Sequence, residues 1–271
     1  MKKFGSALRG LYIGLIFVFL YAPVALMIVL SFNENRSAYD WGGFSFVKYE
    51  ALFSNDTIME AMGTTLVLGL SAAAIATLIG ILVCIGMMAM GKRMQSVVTT
   101  TANIPLLNAD IVTGIALMLF FAGIGLRMSN VTLIVSHVTL VLPYVVLNVS
   151  SKLRQFDMSI YHAALDLGAS PVKAFFKVVL PDIFPGVFAG FLLALTISFD
   201  DFTITYFTKG QGLNTLSTMI YTNRIRGILP EYYALSALMF VAILSLILIV
   251  QIINMRSAPD AKVKKSERDL T

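Results

Sequence analysis

Charged side chains are scarce in this 271-residue sequence, in which Asp, Glu, Lys and Arg make up 13%, against roughly 25% in a soluble domain. Cysteine is nearly absent: with Cys84 alone and two histidines far apart, neither a disulfide framework nor a zinc site can be built. The phosphate-binding motif G-x-x-x-x-G-K-[ST] is missing, so the chain holds no ATP in a site of that kind. No nucleophile with a base beside it is evident either, which argues against an enzyme.

Apolar residues, by contrast, make up 58% of the sequence, and the mean hydropathy is +0.83. A helix needs roughly 20 apolar residues to cross a hydrocarbon core about 30 Å thick. Backbone N–H and C=O groups must pair with one another in lipid, which favours helices. We therefore predict an all-α integral membrane protein with six transmembrane helices, at residues 11–31, 62–90, 97–123, 130–150, 183–207 and 232–254.

The lysines and arginines predict an orientation. Basic residues precede the first apolar run, as in a signal peptide, but we expect a retained anchor because no small-x-small cleavage site follows the run. Fourteen of the 20 Lys and Arg residues fall in the termini and in the loops that include 92–93 and 151–182. Positive residues are retained on the cytoplasmic side, so the N-terminus (1–10) and the basic tail (255–271) are predicted to be cytoplasmic. The tail is expected to lie near anionic lipid, and nucleic acid is not expected as a partner.

The connection at residues 151–182 is long enough to hold structure of its own. A short helix is predicted over 158–167, and Gly168 suits the left-handed residue that ends a helix. Three side chains would form the apolar face of this helix: Tyr161, Ala164 and Leu165. If Ser159 begins the helix, the residue three positions on would be the place for a capping-box glutamate, and His162 stands there instead.

A second helix is predicted directly after this turn. Ser170 can cap its first amides, and Pro171 lacks only an amide that would be unpaired anyway. Helical spacing relates five apolar residues: Val172, Phe175, Phe176, Val179 and Leu180. Pro181 and Pro185 are expected to mark the end of this helix and the entry to the next span. The apolar face of the unit either packs on the inner ends of the protein's own helices or meets a soluble partner, and the pattern favours neither.

One motif in this connection resembles the EAA loop of type I ABC importer permeases. The family pattern is Glu-Ala-Ala, three residues, Gly, nine residues, Ile, one residue, Leu-Pro; here the matching residues are Ala163, Ala164, Gly168, Val178, Leu180 and Pro181. His162 stands in place of the glutamate and Val178 in place of the isoleucine. The resemblance implies that His162, Ala163, Ala164, Asp166, Gly168, Val178, Leu180 and Pro181 couple the membrane helices to a cytoplasmic ATPase. The histidine removes a negative charge near the helix start, and any salt bridge of the family's glutamate does not carry over.

The resemblance extends to two of the predicted spans. Ser136-His137-Val138-Thr139-Leu140-Val141-Leu142-Pro143 and Ser198-Phe199-Asp200-Asp201-Phe202 are similar to the corresponding runs of spermidine/putrescine permeases within that family. This implies import of polyamines across a bacterial inner membrane, with a second permease, two cytoplasmic ATP-binding subunits and an extracellular or periplasmic polyamine-binding protein as partners. No cofactor or metal is implied. Permeases for thiamine or ferric ion share the EAA pattern and remain alternatives, as does, with less support, an ion-coupled secondary transporter.

Three carboxylates lie inside predicted spans, where each charge costs roughly 2.5 to 3.5 kcal/mol unless a partner offsets it. Asp110 interrupts the third span, and Asp200 and Asp201 lie in the outer half of the fifth. Because no lysine or arginine lies in the apolar part of any span, the carboxylates suit a path for a cation. The alternative is that they bond to the backbone or to Thr and Asn side chains. Adjacent helical residues point about 100° apart, so one of Asp200 and Asp201 is expected to line the path and the other to pack or cap.

Three further features of the spans have two readings each. Tyr206, with Phe207, can supply a cation-π contact to a substrate or simply pack. His137 is expected to be a packing histidine whose nitrogens are hydrogen-bonded, with a proton relay as the alternative. Gly186 and Gly190 have GxxxG spacing, which indicates a close helix approach either within the bundle or with a second permease.

Overall fold

The computed structural model describes residues 2–37, 39–223 and 229–257. Within these ranges the elements are helices, with one isolated antiparallel bridge between Asn33 and Phe44. In chain order the helices are α1 (Lys2–Ser31), α2 (Val47–Phe53), α3 (Asp56–Ala89), α4 (Lys92–Ala102), α5 (Ile104–Leu107), α6 (Asp110–Gly123), α7 (Asn130–Gln155), α8 (Met158–Asp166), α9 (Pro171–Ala174), α10 (Leu180–Asp200), α11 (Thr203–Thr208), α12 (Leu216–Asn223) and α13 (Glu231–Ser257). A π-helical turn, Phe175–Val179, joins α9 to α10. The predicted all-α class is confirmed, whereas most of the predicted basic tail lies outside the described residues.

Four of the helical stretches are long and apolar enough to cross a membrane. They are Gly10–Ser31, Asp56–Ala89, Asn130–Gln155 and Pro171–Asp200, which overlap the first, second, fourth and fifth predicted spans. The third and sixth predicted spans contain the shorter apolar helices Asp110–Gly123 and Glu231–Ser245. The count of six spans therefore stays a prediction.

The third predicted span is not one helix, as expected over 97–123, but three. Asn103 ends α4, and Pro105 lies at the start of the four-residue helix α5. The backbone is then extended at Asn108 and Ala109, with ψ values of 147° and 137°, before α6 begins. Because the proline removes a helical donor and the Asn side chain competes with helical backbone bonds, this stretch cannot stay helical throughout. Asp110 consequently does not interrupt a helix but begins one.

The fifth predicted span, 183–207, differs from the structure at both ends. The helix begins at Pro171 and runs without a stop to Asp200, so the expected end at Pro181 was wrong. The π-helical turn explains the continuity, because its wider hydrogen-bond pattern lets the chain accommodate a proline without ending the helix. At the other end, the chain leaves the helix after Asp200 and forms the separate helix α11.

One compact unit of the chain comprises the described residues within 2–59 and 223–257. In it α13 packs against α1 and α2. Lys48 of α2 is 3% exposed, and its Nζ donates to the carbonyl oxygen of Leu30 at 2.7 Å. The same ammonium lies 5.1 Å from the centre of the Tyr233 ring of α13. A cation at the last carbonyl groups of α1 is favoured by the partial negative charge of a helix C-terminus, so this lysine joins three helices of the unit.

Replacing Lys48 by methionine is expected to lower the stability of this unit. Methionine has a similar length but leaves the Leu30 carbonyl without its donor, and a hydrogen bond to a charged group contributes about 1.5 to 3 kcal/mol. The thermal midpoint of the purified protein in detergent should fall, as measured by size-exclusion chromatography after heating. Lys209→Met serves as the control, because the Lys209 ammonium donates to the exposed side chain of Asn214 and to no other group in the part of the chain that the structure describes. Equal midpoints for both variants would contradict the role given to Lys48.

A second compact unit comprises residues 60–222, and its core lies mainly between α7 and α10. Side chains from the two helices interdigitate there, including the fully buried Val145 and Ala194. A Cβ added at Gly190 would lie 3.2 Å from the Val145 Cα, and one at Gly186 would overlap the Lys152 side chain. The GxxxG pair thus provides close helix approach within the bundle, which decides between the two readings of the sequence.

Gly190→Leu is expected to destabilise this unit by about 1 to 3 kcal/mol, the usual cost of overpacking a core. The obstacle is the backbone of α7, which cannot rotate away as a side chain can. The fraction of the protein that is recovered as a single species after detergent extraction should decrease. Gly14→Leu is the matched control, because a Cβ at that helical position meets nothing within 4 Å. A Gly190→Leu protein as stable as the control would show that the helices have room to separate.

Candidate functional site: carboxylates at a helix break

The helix is interrupted between α10 and α11 at Asp201, where the backbone is extended with ψ 120°. Its Oδ1 accepts a hydrogen bond from the Ile204 amide at 3.2 Å, and its Oδ2 accepts one from the Thr205 amide at 2.8 Å. The carboxylate therefore satisfies the first amides of α11 and offsets the partial positive charge at that helix start. Its side chain is only 5% exposed. Asp201 is thus the capping member of the Asp200–Asp201 pair.

A cavity of about 330 Å³ opens beside this break. Parts of α6, α7, α10 and α11 surround it. Its lining consists of Asp110, Leu140, Tyr144, Thr196, Ile197, Asp200, Asp201, Phe202 and Thr203. The structure therefore brings together the three carboxylates that the sequence indicated, although Asp110 lies some 90 residues from the other two in the chain.

Asp110 and Asp200 differ from Asp201 in having no hydrogen-bond or ion-pair partner among the described residues. Both are exposed, and in the described part of the chain neither carboxylate makes a hydrogen bond or an ion pair. Two of the side chains that could have been their partners bond to backbone instead: Thr196 donates to the Leu192 carbonyl and Asn148 to that of Tyr144. Two carboxylates that have no partner in the described ranges thus face one cavity.

Electrostatics of the surrounding backbone favour a cation in this cavity. Asp200 ends α10, and the C-terminus of a helix carries a partial negative charge. The positive ends of α6 and α11 are each offset by an aspartate, Asp110 and Asp201. No lysine or arginine is among the residues that line the cavity. The charged side chains that line the cavity are therefore all negative, which suits an ammonium group more than a carboxylate or phosphate.

Aromatic side chains at the cavity differ from the expected ones. Tyr206 is 51% exposed and lies outside the cavity lining; its ring is tilted against that of Phe202 and meets that of Phe207 edge to face. Tyr144 and Phe202 line the cavity instead. The sequence analysis missed Tyr144 because an aromatic residue in a membrane span usually packs against other helices. The sequence feature that could have indicated Tyr144 is its position directly after Pro143, in the fourth span that carries the motif.

The segment that resembles the EAA loop is helical almost throughout. The predicted short helix is confirmed as α8, which starts at Met158 as predicted; it is capped by Asp157, whose Oδ1 accepts from the Ser159 amide at 2.9 Å. Hydrogen bonding by Ser159 holds the pKa of the Asp157 carboxyl below its usual value. Ser159 is therefore not the cap, and His162 does not stand at a capping-box position.

The turn after α8 has the predicted conformation. Gly168 has φ +85°, its amide bonds to the Leu165 carbonyl, and the next amide bonds to the Ala164 carbonyl. These two bonds form a Schellman motif, which requires a left-handed residue at this place. Ser170 then caps α9, accepting from the Lys173 amide at 3.4 Å, and Pro171 is its first residue. Both local predictions are confirmed.

Helix α8 presents two apolar faces. Tyr161, Ala164 and Leu165 are half-buried against the protein, as the sequence predicted. Ile160 and Leu167 are 52% and 90% exposed on the outer side, where Ala163 and the polar residues His162 and Asp166 are exposed too. An apolar groove of about 440 Å³ lies next to α8, lined by Ile85, Met88, Ala89, Tyr161, Pro171, Val172, Phe175 and Phe176.

The second helix likewise divides its apolar residues between two surroundings. Phe175 and Val179 are buried in the core, and Val178 and Leu180 are half-buried around it. Val172 and Phe176 remain 67% and 53% exposed along the groove. Both readings of the apolar face thus describe a part of it: half packs on the protein's own helices, and half is open.

Comparison with known proteins places this arrangement in a family. Residues 83–263 match the family described as "Binding-protein-dependent transport system inner membrane component". The chain belongs to this family. Members named as relatives are permease subunits of transport systems and not enzymes. The family and the apolar helices together make the chain a multi-pass membrane protein of the inner-membrane component type.

Two relatives are similar over most of their length. The spermidine/putrescine transport system permease protein PotC of Haemophilus influenzae is 34% identical over 250 residues, which are 92% of this chain and 97% of the relative. The putrescine transport system permease protein PotI of Escherichia coli is 35% identical over 234 residues, 84% of this chain and 83% of the relative. Their sequences confirm the resemblance to polyamine permeases.

Solved structures confirm the fold. A chain of a bacterial ABC transporter involved in the import of alginate matches with a TM-score of 0.70 at 15% identity, over 95% of this chain and 98% of that one. A chain of an amino acid ABC transporter matches with a TM-score of 0.57 at 18% identity, over 78% of this chain and 96% of that one. The fold is therefore that of an ABC importer permease.

Proposed function

We propose that this chain is the permease subunit of an ATP-driven importer that carries polyamines, spermidine or putrescine, into a bacterial cell. One observation supports this most: Asp110 and Asp200 face one cavity, and among the described residues neither carboxylate has a partner and no basic side chain lines the cavity. A polyamine carries several ammonium groups on an apolar chain. Charge-assisted hydrogen bonds to the two carboxylates and contacts with Tyr144 and Phe202 fit that chemistry.

The proposal includes an orientation and an assembly. Six spans with both termini in the cytoplasm would place α8 and α9 on the cytoplasmic side and residues 32–61 and 208–231 outside. A second permease would complete the pathway, and two ATP-binding subunits would meet the exposed face of α8. A polyamine-binding protein would deliver substrate to the outer loops. The exposed Ile160 and Leu167 support docking at α8, because apolar residues on a helix outside the membrane favour a protein partner.

Uptake of radiolabelled spermidine tests the proposal, in cells that lack other polyamine importers and express the whole operon. Uptake should require the permease and should be reduced by unlabelled putrescine, but not by thiamine or ferric ion. Competition by thiamine or ferric ion in place of polyamines would contradict the substrate and leave the importer architecture. Uptake that persists when the ATP-binding subunit is inactivated would favour an ion-coupled secondary transporter.

A further inference from the structure

His137, a residue that the proposed transport path does not use, lies fully buried in α7 beside the break between α10 and α11. Its Nδ1 is 2.7 Å from the Ser198 Oγ, and its Nε2 is 2.8 Å from the Thr205 Oγ1. The Asp201 Oδ2 lies 3.6 Å from Nε2, which is too far for a hydrogen bond. The histidine therefore reaches the aspartate through the threonine hydroxyl.

The direction of each hydrogen bond follows from the Asp201 end. The Thr205 hydroxyl lies 2.9 Å from the Asp201 Oδ2 and 3.2 Å from the Asp201 carbonyl, and both of these can only accept. Its proton is therefore given to Asp201, so the hydroxyl accepts from the N–H at Nε2 of His137. A neutral imidazole with its proton there accepts at Nδ1, where Ser198 donates. The result is a chain of donors from Ser198 through His137 and Thr205 to Asp201.

This series of hydrogen bonds ends on Asp201, which caps α11, and not on Asp200. Asp201 receives the Thr205 hydroxyl in addition to two backbone amides, so its carboxylate has three donors. Its neighbour Asp200 has none in the described residues and is exposed to the cavity. The buried contacts of His137 therefore support the capping role of Asp201, whereas the adjacent and chemically identical Asp200 faces the cavity.

We propose that His137 is a positioning residue for the cation site: through Thr205 it holds Asp201 on the start of α11, and so fixes the helix break that presents Asp200 to the cavity. This inference rests on the proposed polyamine transport for its effect on uptake, but not for its effect on the helix break. Without the histidine, Thr205 loses its buried donor, and Asp201 is free to leave the amides of Ile204 and Thr205. The Asp201 carboxylate would then no longer be held at the start of α11, and the backbone that places Asp200 at the cavity would lose this support.

Two substitutions separate positioning from bulk packing. His137→Leu fills the space but removes both polar atoms, whereas His137→Gln offers one acceptor to Ser198 and one donor to Thr205. In the uptake assay His137→Leu should raise the KM for spermidine by about tenfold, the effect of losing roughly 1.4 kcal/mol of binding, with the maximal rate little changed. His137→Gln should restore most of the wild-type KM. Membrane insertion and association with the ATP-binding subunit are measured in parallel.

Hydrogen exchange of the peptide that contains Ile204 and Thr205 gives a readout independent of substrate. In the assembled complex, His137→Leu should speed exchange at these capped amides, and His137→Gln should keep it slow. Unchanged exchange and unchanged KM in His137→Leu would overturn the proposal, as would equal losses of maximal rate in both variants at constant KM. If the wild type takes up no spermidine while His137→Leu still speeds exchange, the substrate is wrong and the positioning role stands.

Discussion

Spermidine uptake is expected to fall at least tenfold when Asp200 is replaced by asparagine, mainly through a higher KM. Asp200 has neither a hydrogen bond nor an ion pair within the described residues and lies at the end of α10 facing the cavity. Its charge is therefore available to an ammonium group, and a charge-assisted hydrogen bond contributes about 1.5 to 3 kcal/mol, or roughly ten- to a hundredfold in affinity. Asparagine keeps the size and removes the charge.

Two comparisons make this result specific. Asp182→Asn removes a charge from an exposed aspartate in the first turn of the same helix, far from the cavity, and should leave KM unchanged. Asp201→Asn should affect KM less than Asp200→Asn, because its single amide oxygen can still accept from one of the two α11 amides that Asp201 caps. If Asp201→Asn abolished uptake while Asp200→Asn did not, the assignment of the two roles would be reversed.

The second large effect is expected at the turn after α8, where Gly168→Val should nearly abolish uptake without unfolding the membrane helices. Gly168 has φ +85°, a conformation that costs a β-branched residue about 1 to 2 kcal/mol. An isolated helix of nine residues is marginal in stability, so loss of its Schellman motif should disorder α8. The proposed contact with the ATPase would be lost with it.

Steric clash does not complicate this prediction, because a Cβ at Gly168 meets nothing within 4 Å. Gly168→Asn is the matched control, since asparagine tolerates the left-handed conformation and should retain most of the uptake. ATP hydrolysis that is stimulated by the loaded binding protein should fall in the valine variant alone. Equal activity of the valine and asparagine variants would show that the turn is not needed for coupling.

Sequence patterns predicted the features that local chemistry decides. The glycine turn at Gly168 and the Ser170–Pro171 helix start are fixed by residues within a few positions of each other, and the structure has both. The apolar faces around them are also local, because helical spacing alone places Tyr161 and Leu165 on one side. These features need no knowledge of the rest of the fold.

The predicted helix ends around the site failed for a different reason. The end of α10 depends on Asp201 capping α11, and that cap is held by a histidine more than sixty positions earlier in the chain. The continuity through Pro181 depends on a π-helical turn whose Phe175 and Val179 pack into the core. Contacts between distant segments decide both, and a single sequence does not indicate which distant residues will be in contact.

The unbroken helical stretch Pro171–Asp200 has a consequence for energetics. Its 30 residues extend about 45 Å at 1.5 Å per residue. One end lies beside the proposed ATPase contact, and the other carries Asp200. In the proposed assembly, any state of the ATPase that changes cation affinity at Asp200 must itself be favoured or disfavoured by the bound cation by the same factor, because linkage is reciprocal. A polyamine analogue that enters the cavity and is too bulky to leave it would then act on ATP hydrolysis from the far side of the membrane.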